Sequence, residues 1–433
     1  MKELSASCAS SEPWIFARIW AAFLLVLVMV TYPLWFAALD SRSALAVPLL
    51  PVISSLSGYL TILPSITLMI GLIIAVLARQ NIRVQLGWML VAASLLMTFL
   101  VDQHRLQPWA YQSFFYALIF SSMNPSTCRK WIMPLAASVY VYSAAGKFDF
   151  QFQHTVGQDL ISALASFMGG LPVNFDAKSA TRLALFFPTV ELLAGLGLTL
   201  PKTRRLSVIV LTLMHVSLLI LLGPWSLDHS WGVLLWNLML ITQAYFVFWV
   251  RYEPDLPASS ADVPVADRAD TATHHSFESS IFAVCVKFLI VLAILCPLLE
   301  RSGYWDHWTS WSLYSPHTSR AEIELHRSVM GNLDPPIVAF LEEDEDGDGW
   351  HRLSLESWSL GRRFVPIYPQ ARYQLAIANQ LCVSSGLDAQ IRVKLKGVAD
   401  RWTGTRSESR LMGKQQIQEA CEDFWLNTGG TMK

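Results

Sequence analysis

Long apolar segments separated by short polar ones fill the first 300 residues of the chain. A helix that crosses a bilayer needs about 20 mostly apolar residues, and a shorter one suffices inside a bundle. Nine segments fit this description and are predicted to span a membrane: Trp14–Leu39, Leu56–Ala78, Val84–Val101, Pro108–Phe120, Trp131–Ala145, Leu183–Leu200, Leu206–Leu222, Trp231–Val250 and Ile281–Leu299.

The chain after Glu300 changes to shorter and more polar patterns. Alternating apolar positions predict the strands Ala321–His326, Pro336–Leu341, Trp350–Leu355 and Ala389–Val398, and helical periodicity predicts the helices Gln370–Val383 and Lys414–Leu426. The two patterns together predict an all-α polytopic membrane helix bundle of about nine transmembrane helices, followed by a C-terminal α+β soluble domain.

The predicted elements divide the chain into five parts. These are N-terminal transmembrane helices (1–130), a transmembrane core (131–250), a cytoplasmic linker rich in Pro, Ala, Asp and Ser (251–280), a last transmembrane helix (281–300) and an extracytoplasmic α+β domain (301–433). Within the core, His154–Met168 is too polar to span and has one apolar side. It is predicted to lie as an amphipathic helix on the outer membrane face.

Positive charge predicts the orientation of the bundle. With a cytoplasmic N-terminus, the inward loops contain nine Lys and Arg residues and the outward loops five. Such an excess is typical of cytoplasmic loops, so the C-terminal domain is predicted to be extracytoplasmic. The predicted location is the inner membrane of a bacterium, with the lipid bilayer as partner and the domain in the periplasm.

The amino-acid composition is typical of a membrane protein and does not favour a nucleic-acid partner. Hydrophobic residues make up 53% of the chain and charged residues only 15%, against about 25% in soluble domains. The net charge is −1 and no Lys/Arg-rich run occurs, so no nucleic-acid partner is predicted.

Two neighbouring helices contain the most distinctive residues. The first reads Tyr-Ser-Ala-Ala-Gly-Lys and ends at Lys147, and the second reads Pro-Thr-Val-Glu-Leu-Leu-Ala-Gly from Pro188 to Gly195. A small-x-x-Lys helix end followed by a Pro-x-x-Glu-Leu-x-x-Gly helix resembles the DoxX and MauE-like (methylamine utilisation) membrane family, over residues 131–249. The resemblance implies a redox-associated role in sulfur or quinone chemistry, or in the maturation of periplasmic electron-transfer proteins.

The chain also departs from that family. Its members typically have four helices, whereas this chain adds helices on both sides of the core and a C-terminal domain. No vicinal thiols are present to relay electrons. A second and weaker resemblance is to bundles related to vitamin K-dependent carboxylase, which carry isolated His and Lys residues in helices and an extracytoplasmic domain.

Glu191 and His215 are the strongest candidates for functional residues inside the membrane. At a rise of 1.5 Å per residue, each lies about 13–15 Å along its own helix, and the two helices are consecutive and antiparallel. An acid at mid-bilayer is costly unless it is paired, neutral or functional. We therefore predict that Glu191 faces His215, either as a proton relay or quinone-binding pair, or as a structural pair with Glu191 protonated.

Four more residues are expected near the outer mouth of the bundle. Lys147 is a candidate catalytic group beside Glu191 and His215, and Asp149, His229 and Asn237 are candidates for binding a substrate or cofactor. The alternatives are a snorkelling lysine with a nearby carboxylate, a surface histidine and a hydrogen-bonded asparagine.

No metal site is predicted. The Trp-rich segment Tyr304–Trp311 contains Asp306 and His307, but its tryptophans fit an interfacial belt. The Asp-rich segment Asp344–Gly349 begins like a calcium loop, but Leu355 stands where that loop requires an acid, so an acidic turn is expected.

Two cysteines, Cys382 and Cys421, lie in the predicted C-terminal domain, one in each predicted helix. An oxidising compartment would allow them to pair, and a disulfide between them is predicted, with two buried free thiols as the alternative.

Three functions follow from these features. The first is an inner-membrane protein that supports a redox or protein-maturation process at the extracytoplasmic face, with quinone as candidate cofactor and a periplasmic redox protein as candidate partner. The second is a carboxylase-like membrane enzyme that uses Lys147, Glu191 or His215 in acid–base steps. The third is a proton-coupled transporter.

Overall fold

A computed structural model of the chain describes residues 12–36, 45–55, 62–167, 169–170, 176–250, 281–344 and 346–428. The predicted linker, 251–280, lies outside the described residues. The rest forms a helical bundle, then a small antiparallel sheet covered by helices.

The bundle is built from helices that follow the apolar segments. They are α1 (Glu12–Val30), α2 (Leu63–Leu77), α3 (Asn81–Val101), α4 (Pro108–Ser122), α5 (Pro125–Lys147), α6 (Val156–Phe167), α7 (Ala177–Ala184), α8 (Phe186–Thr199), α9 (Arg204–Leu221), α10 (Trp231–Gln243) and α11 (Ile281–Leu295). Shorter helical turns are Tyr32–Trp35, Pro51–Ser55, Gln103–Arg105 and Phe150–His154, and helices α10 and α11 continue as Ala244–Trp249 and Cys296–Ser302.

The prediction of nine membrane spans is wrong. Among the described residues, five helical segments are long and apolar enough to cross a membrane: Asn81–Val101, Lys178–Thr199, Arg204–Leu221, Trp231–Trp249 and Ile281–Ser302. Two shorter apolar helices, Trp14–Val30 and Leu63–Leu77, accompany them. The predicted spans at Pro108–Phe120 and Trp131–Ala145 correspond to α4 and α5. Helix α4 has only 15 residues and is almost entirely buried, so it forms the centre of the bundle.

Helix α5 has two clear start signals. Asn124 caps its first turn by accepting a hydrogen bond from the Thr127 amide at 2.9 Å, and Pro125 occupies the first position, where no amide hydrogen is required. The helix then runs through Pro134 to Lys147. Its last turn, which contains Lys147, lies at the end of the bundle that carries the candidate site described below.

The predicted amphipathic segment His154–Met168 is helical over Val156–Phe167. Leu160, Ile161 and Ala163 are buried on its inner side, whereas Leu164 and Phe167 are exposed. This helix packs against α9 and forms part of the wall of the cavity described below.

The C-terminal domain contains a four-stranded antiparallel sheet in the order β2-β1-β3-β4. The strands are β1 (Arg320–His326), β2 (Trp350–Arg352), β3 (Ile391–Lys396) and β4 (Glu408–Met412), and the helices are α12 (Leu355–Arg363), α13 (Ala371–Ser384) and α14 (Gly413–Glu422). Buried and partly exposed residues alternate along β1, and Ile323 pairs with Val393 of β3 on the buried side. Helix α13 covers that side.

Most elements predicted in this domain are confirmed, and one is wrong. The strands at 321–326 and 391–396 and the helices at 371–384 and 413–422 are present. The predicted strand Pro336–Leu341 is instead a helical turn, Pro335–Val338, because two consecutive prolines pre-set a helical start and cannot donate to a sheet. The strand predicted over Trp350–Leu355 is short, and Leu355 already begins α12.

The predicted acidic turn is present at Asp344–Gly349. Both carboxylate oxygens of Asp344 accept backbone hydrogen bonds, from Gly347 at 2.9 Å and Gly349 at 2.8 Å. The carboxylate of Asp348 accepts from the Trp350 amide and pairs with Arg392. These carboxylates therefore close the turn that leads into β2.

The predicted disulfide is absent. Cys382 and Cys421 lie on the packed helices α13 and α14, but both are free, buried thiols. The Cys421 thiol donates to the carbonyl oxygen of Thr428 at 3.8 Å. Burial raises the pKa of each thiol to about 11. The alternative of two buried free thiols is therefore what the structure shows.

The C-terminal domain sits on one end of the bundle, here called the domain-facing end. Arg401 donates to the carbonyls of Phe148 and Ala145 at the end of α5, and Arg372 donates to Gln103 in the turn after α3. One continuous apolar core runs from the bundle into the domain. The last turn of α5 is thus fixed from both sides.

Candidate functional site

Three polar side chains of α5 point to the same side of the helix. Tyr140, Ser143 and Lys147 are spaced three and four residues apart, which places them on one helical face. This face meets α8 closely because Gly195 has no side chain. A Cβ at Gly195 would lie 2.9 Å from the Cβ of Tyr140, which is too close for two carbon atoms.

The close approach brings Lys147 to Glu191. The Nζ of Lys147 lies 2.6 Å from Oε2 of Glu191 and 2.7 Å from Oγ of Ser143, and both charged side chains are buried. A lysine ammonium has three N–H bonds, and two are used here. In the described part of the chain the third has no partner, so it is available to a ligand.

A second polar chain crosses the same space. The hydroxyl of Tyr140 lies 3.1 Å from Nε2 of His215, and Nδ1 of His215 lies 2.8 Å from Oδ1 of Asn237. The Asn237 amide nitrogen donates to the carbonyl of Val233, so its oxygen is the atom that faces the histidine. An oxygen requires a donor, so His215 carries its proton on Nδ1 and accepts from Tyr140 through Nε2.

These contacts correct the prediction that Glu191 pairs with His215. The partner of Glu191 is Lys147, and His215 is occupied by Tyr140 and Asn237. Depth along α8 and α9 does not determine these contacts, because Lys147 and Tyr140 come from α5 and Asn237 comes from α10. Glu191 and His215 share one cavity but no hydrogen bond is found between them.

The two polar chains face an apolar cavity of about 370 Å³ between α5, α6, α8, α9 and α10. Its walls are mainly Leu, Val, Phe and Met side chains. Three lining residues at its rim, Leu164, Phe186 and Leu213, are 42%, 60% and 62% exposed on the outer surface of the bundle. These exposed apolar side chains belong to the surface expected to meet lipid, so the lining of the cavity reaches that surface.

Residues of the C-terminal domain complete the wall of the cavity at the domain-facing end. Leu313 and Tyr314, from the segment after α11, line it together with Lys147. Tyr314 has a positive φ of 56°, a backbone conformation that residues other than glycine rarely adopt. The predicted binding residue His229 does not line the cavity, but its ring is edge-on to that of Tyr314, with 6.0 Å between the ring centroids.

Asp149 points away from the cavity into a separate cluster. Its Oδ1 accepts from the Phe152 amide at 2.7 Å, and its Oδ2 lies 2.7 Å from Nδ1 of His317 and 3.3 Å from Arg301. Burial opposes ionisation of Asp149, but its contacts with His317, the Phe152 amide and Arg301 outweigh burial and lower its pKa. Asp149 is therefore an ionised carboxylate at the base of the C-terminal domain.

The partner of Asp149, His317, is the centre of that cluster. Its Nε2 lies 2.9 Å from Oε1 of Glu300, and the same oxygen lies 2.9 Å from Nδ1 of His307. Burial opposes protonation of His317, but Asp149 and Glu300 outweigh it and raise its pKa. Burial is the main reason that the pKa of His307 is lowered.

The sequence indicated some of these residues and missed others. Lys147, Glu191, His215 and Asn237 line the cavity as candidates, whereas Asp149 and His229 do not. Tyr140 and Tyr314 were missed as cavity residues, and Glu300 and His317 were missed as members of the cluster. The spacing of Tyr140, Ser143 and Lys147 carried a signal, whereas nothing local connects Glu300 with His317.

Comparisons with protein-family models, with curated proteins and with solved structures give no match. The geometry of the cavity and the cluster is therefore the basis for any functional conclusion.

Proposed function

We propose that the protein binds a quinone-class lipid in the cavity and exchanges protons with it through Lys147 and Glu191. The process served would be a redox or maturation reaction at the extracytoplasmic face of the inner membrane. The observation that carries the proposal is the Lys147–Glu191 pair at the closed end of an apolar cavity whose rim faces the bilayer.

The shape and polarity of the cavity favour a lipid-soluble ligand. A water-soluble molecule would lose its hydration among Leu, Val and Phe side chains without replacement, whereas an apolar ring and tail would gain by burial. The volume of about 370 Å³ falls in the range of small-ligand sites. The exposed rim at Phe186 and Leu213 gives such a ligand a route from the membrane.

The polar end of the cavity suits an oxygen that changes between acceptor and donor. A quinone carbonyl would accept from the unused N–H of Lys147, and a quinol hydroxyl would donate to Glu191. The hydroxyl oxygen of Tyr140 is a further acceptor, since its hydrogen is directed to His215. His215 and Asn237 then orient Tyr140 and do not need to change protonation themselves.

The orientation and partners belong to the same proposal. Lys and Arg residues collect at the end of the bundle away from the C-terminal domain, where α3, α5 and α9 begin, and this charge distribution supports an extracytoplasmic domain. The polar end of the cavity lies at the domain-facing end, where Leu313 and Tyr314 cover it. A periplasmic redox protein would then meet the molecule on the side where the ligand oxygen is bound.

The proposal is tested by quinone binding to the full chain in lipid nanodiscs. Leu213→Trp fills the rim and should lower the affinity for an added short-chain quinone at least tenfold. Leu206→Trp is the matched control, because Leu206 is an equally exposed residue of α9 that does not line the cavity. Equal affinity of the two variants, or no quinone binding by the wild-type chain, would refute the proposal.

A second candidate function is a carboxylase-like membrane enzyme with Lys147, Glu191 or His215 as its acid–base groups. The observation in its favour is that residues of the soluble domain complete the wall beside Lys147, so a substrate held by that domain would lie near the amine. Incorporation of radiolabelled bicarbonate into an added glutamate-containing peptide, dependent on reduced quinone and lost in Lys147→Met, would select this function over the first.

A further inference from the structure

Three potential metal ligands meet where the last membrane helix enters the C-terminal domain. Ligand atoms of Glu300, His307 and His317 all lie within 4.8 Å of one another. His307 and His317 are almost completely buried, and Glu300 is 9% exposed. Glu300 comes from the turn after α11, and the two histidines come from the segment that precedes β1.

The arrangement around His317 is the one used to orient a metal-binding histidine. Asp149 lies 2.7 Å from Nδ1, and Nε2 on the opposite edge of the ring points to Glu300. A carboxylate at one ring nitrogen fixes the tautomer that leaves the other nitrogen free to bind a metal. Asp149 itself is held in place by the Phe152 amide and Arg301.

We propose that Glu300, His307 and His317 bind a divalent first-row transition-metal ion, with Asp149 as the positioning residue for His317. In this arrangement Oε1 of Glu300, Nδ1 of His307 and Nε2 of His317 are the three protein ligands. The site is separate from the membrane cavity and does not depend on the function proposed for it.

The donor set and its spacing select the class of ion. Two imidazoles and one carboxylate favour zinc, iron, cobalt or nickel over calcium or magnesium, which prefer oxygen donors. Atoms 2.9 Å apart, as Glu300 is from each histidine, subtend about 90° at an ion bound at about 2.1 Å. That angle matches neighbouring positions of an octahedron for each Glu300–histidine pair, and three protein ligands leave further positions for water or substrate.

The charge of the cluster also favours a cation. Asp149 and Glu300 contribute two negative charges; Arg301 lies beside Asp149, and His317, which contacts both carboxylates, holds the proton that a bound ion would displace. His307 also lines a second cavity of about 430 Å³, which is formed mainly by the C-terminal domain together with Val156 of α6. Tyr314 lines both cavities, so the metal would hold the segment that covers the membrane cavity.

The experiment is metal binding by the full chain in detergent after treatment with a chelator and dialysis. Zinc affinity is measured by competition with a chromophoric chelator, and cobalt is added to record its visible absorption bands. The wild-type chain should bind about one zinc per molecule. Glu300→Gln should lose at least 100-fold in affinity, and Asp149→Asn about 10–100-fold, the usual effect of removing a residue that orients a ligand.

His154→Ala is the matched control, because this exposed histidine lies near the cluster in sequence but outside it. It should bind zinc like the wild type. Glu300→Gln retains hydrogen bonding to neutral histidines, so its elution as a folded monodisperse protein separates loss of metal from loss of fold. Substoichiometric zinc on the wild-type chain, or an equal affinity in Glu300→Gln, would overturn the proposal.

Discussion

Lys147 and Glu191 form a buried ion pair, and each residue depends on the other. Removal of one partner of such a pair leaves an uncompensated charge, whereas replacement of both by apolar residues can be neutral. The pair therefore contributes little net stability but makes either single substitution costly. Its retention in an apolar cavity is better explained by a function that uses the two charges.

Glu191→Ala is expected to lower the free energy of unfolding by about 3–5 kcal/mol, because Lys147 stays buried without its partner. The double variant Lys147→Met with Glu191→Leu should recover most of that loss. Unfolding by SDS titration in mixed micelles measures both. Lys178→Met, at an exposed lysine of α7, is the control. A double variant no more stable than Glu191→Ala alone would contradict this account.

Cys382 and Cys421 give a prediction that depends on pH. Burial raises the pKa of both thiols to about 11, from an ordinary value of 9.0. Because only the thiolate reacts, labelling of the folded protein at pH 8 should be far slower than after denaturation, and should accelerate as the pH approaches 11. The raised pKa also means that stability from burying these thiols is present below pH 9 and is lost as the pH rises through 11.

The labelling is measured by mass spectrometry under non-reducing conditions. Both peptides should carry the label after denaturation without reductant. A disulfide-linked peptide pair would instead restore the sequence-based prediction.

At the scale of single residues, the sequence pointed to Glu191 and His215 but not to their partners. The two residues were predicted as a pair, and the structure places both in the wall of the cavity with other partners. Two of their partners, Lys147 and Tyr140, come from a third helix, α5, and Asn237 comes from α10, so the packing of the helices decides which side chains meet. Helix depth gives one coordinate of a residue and says nothing about the direction in which it points.

At the scale of secondary-structure elements, the close packing of α5 against α8 brings Lys147 next to Glu191. This packing depends on Gly195. Gly195→Ala would place a Cβ 2.9 Å from that of Tyr140 and 3.3 Å from the backbone nitrogen of Val141. The backbone of α5 cannot yield as a side chain could, so the helices must separate. Overpacking of this kind costs about 1–3 kcal/mol, more than the roughly 1 kcal/mol that alanine gains in a helix.

We therefore expect Gly195→Ala to lower thermal stability in nanodiscs and to weaken quinone binding, because Lys147 and Glu191 move apart. Gly331→Ala is the control, since a Cβ there meets no atom within 4 Å. Unchanged stability and binding in Gly195→Ala would show that the two helices tolerate a wider separation.

Elements were predictable where local pattern decided them. The strands at β1 and β3 and the helices α13 and α14 follow clear periodicities, and the structure contains them. Strand β4, with its mostly exposed residues, has no apolar alternation and was missed. The apolar residues around Ile337 favour a strand, but the two prolines before it favour the start of a helix, and the structure has a helical turn there.

At the scale of the whole molecule, the C-terminal domain contacts the bundle directly at the end of α5. Arg401 donates to the last carbonyls of that helix, at Ala145 and Phe148, which have no helical partners of their own. A cation at a helix C-terminus is also favoured by the helix dipole. This contact connects the soluble domain directly with the turn that carries Lys147.

Arg401→Ala should loosen the domain from the bundle by about 1–2 kcal/mol, since two charge-assisted hydrogen bonds of a partly exposed residue are lost. Limited trypsin digestion in nanodiscs should then cut the segment between α11 and β1 faster. Arg410→Ala removes an exposed arginine of β4 and is the control. Identical digestion rates in the two variants would argue that the continuous apolar core alone holds the domain.

The general architecture, a helical membrane bundle followed by an α+β domain, followed from the hydrophobic pattern, but the number of spans did not. Length and hydropathy count every apolar run as a span. Helix α4 is short and apolar because other helices surround it, and a central helix cannot be distinguished from a spanning one by its own sequence. In α4, therefore, the apolar residues are buried in protein and not in lipid.

The lining of the cavity reaches the surface expected to meet lipid at Leu164, Phe186 and Leu213, and this determines which concentration governs its occupancy. A ligand that enters from the bilayer equilibrates with its mole fraction among the lipids, not with its concentration in water. Detergent micelles dilute a membrane-soluble molecule as the detergent-to-protein ratio rises, so purification itself would strip the ligand even when binding is tight. Occupancy should accordingly be compared at constant ligand-to-lipid ratio, and membranes enriched in the ligand should saturate the protein at aqueous concentrations too low to detect.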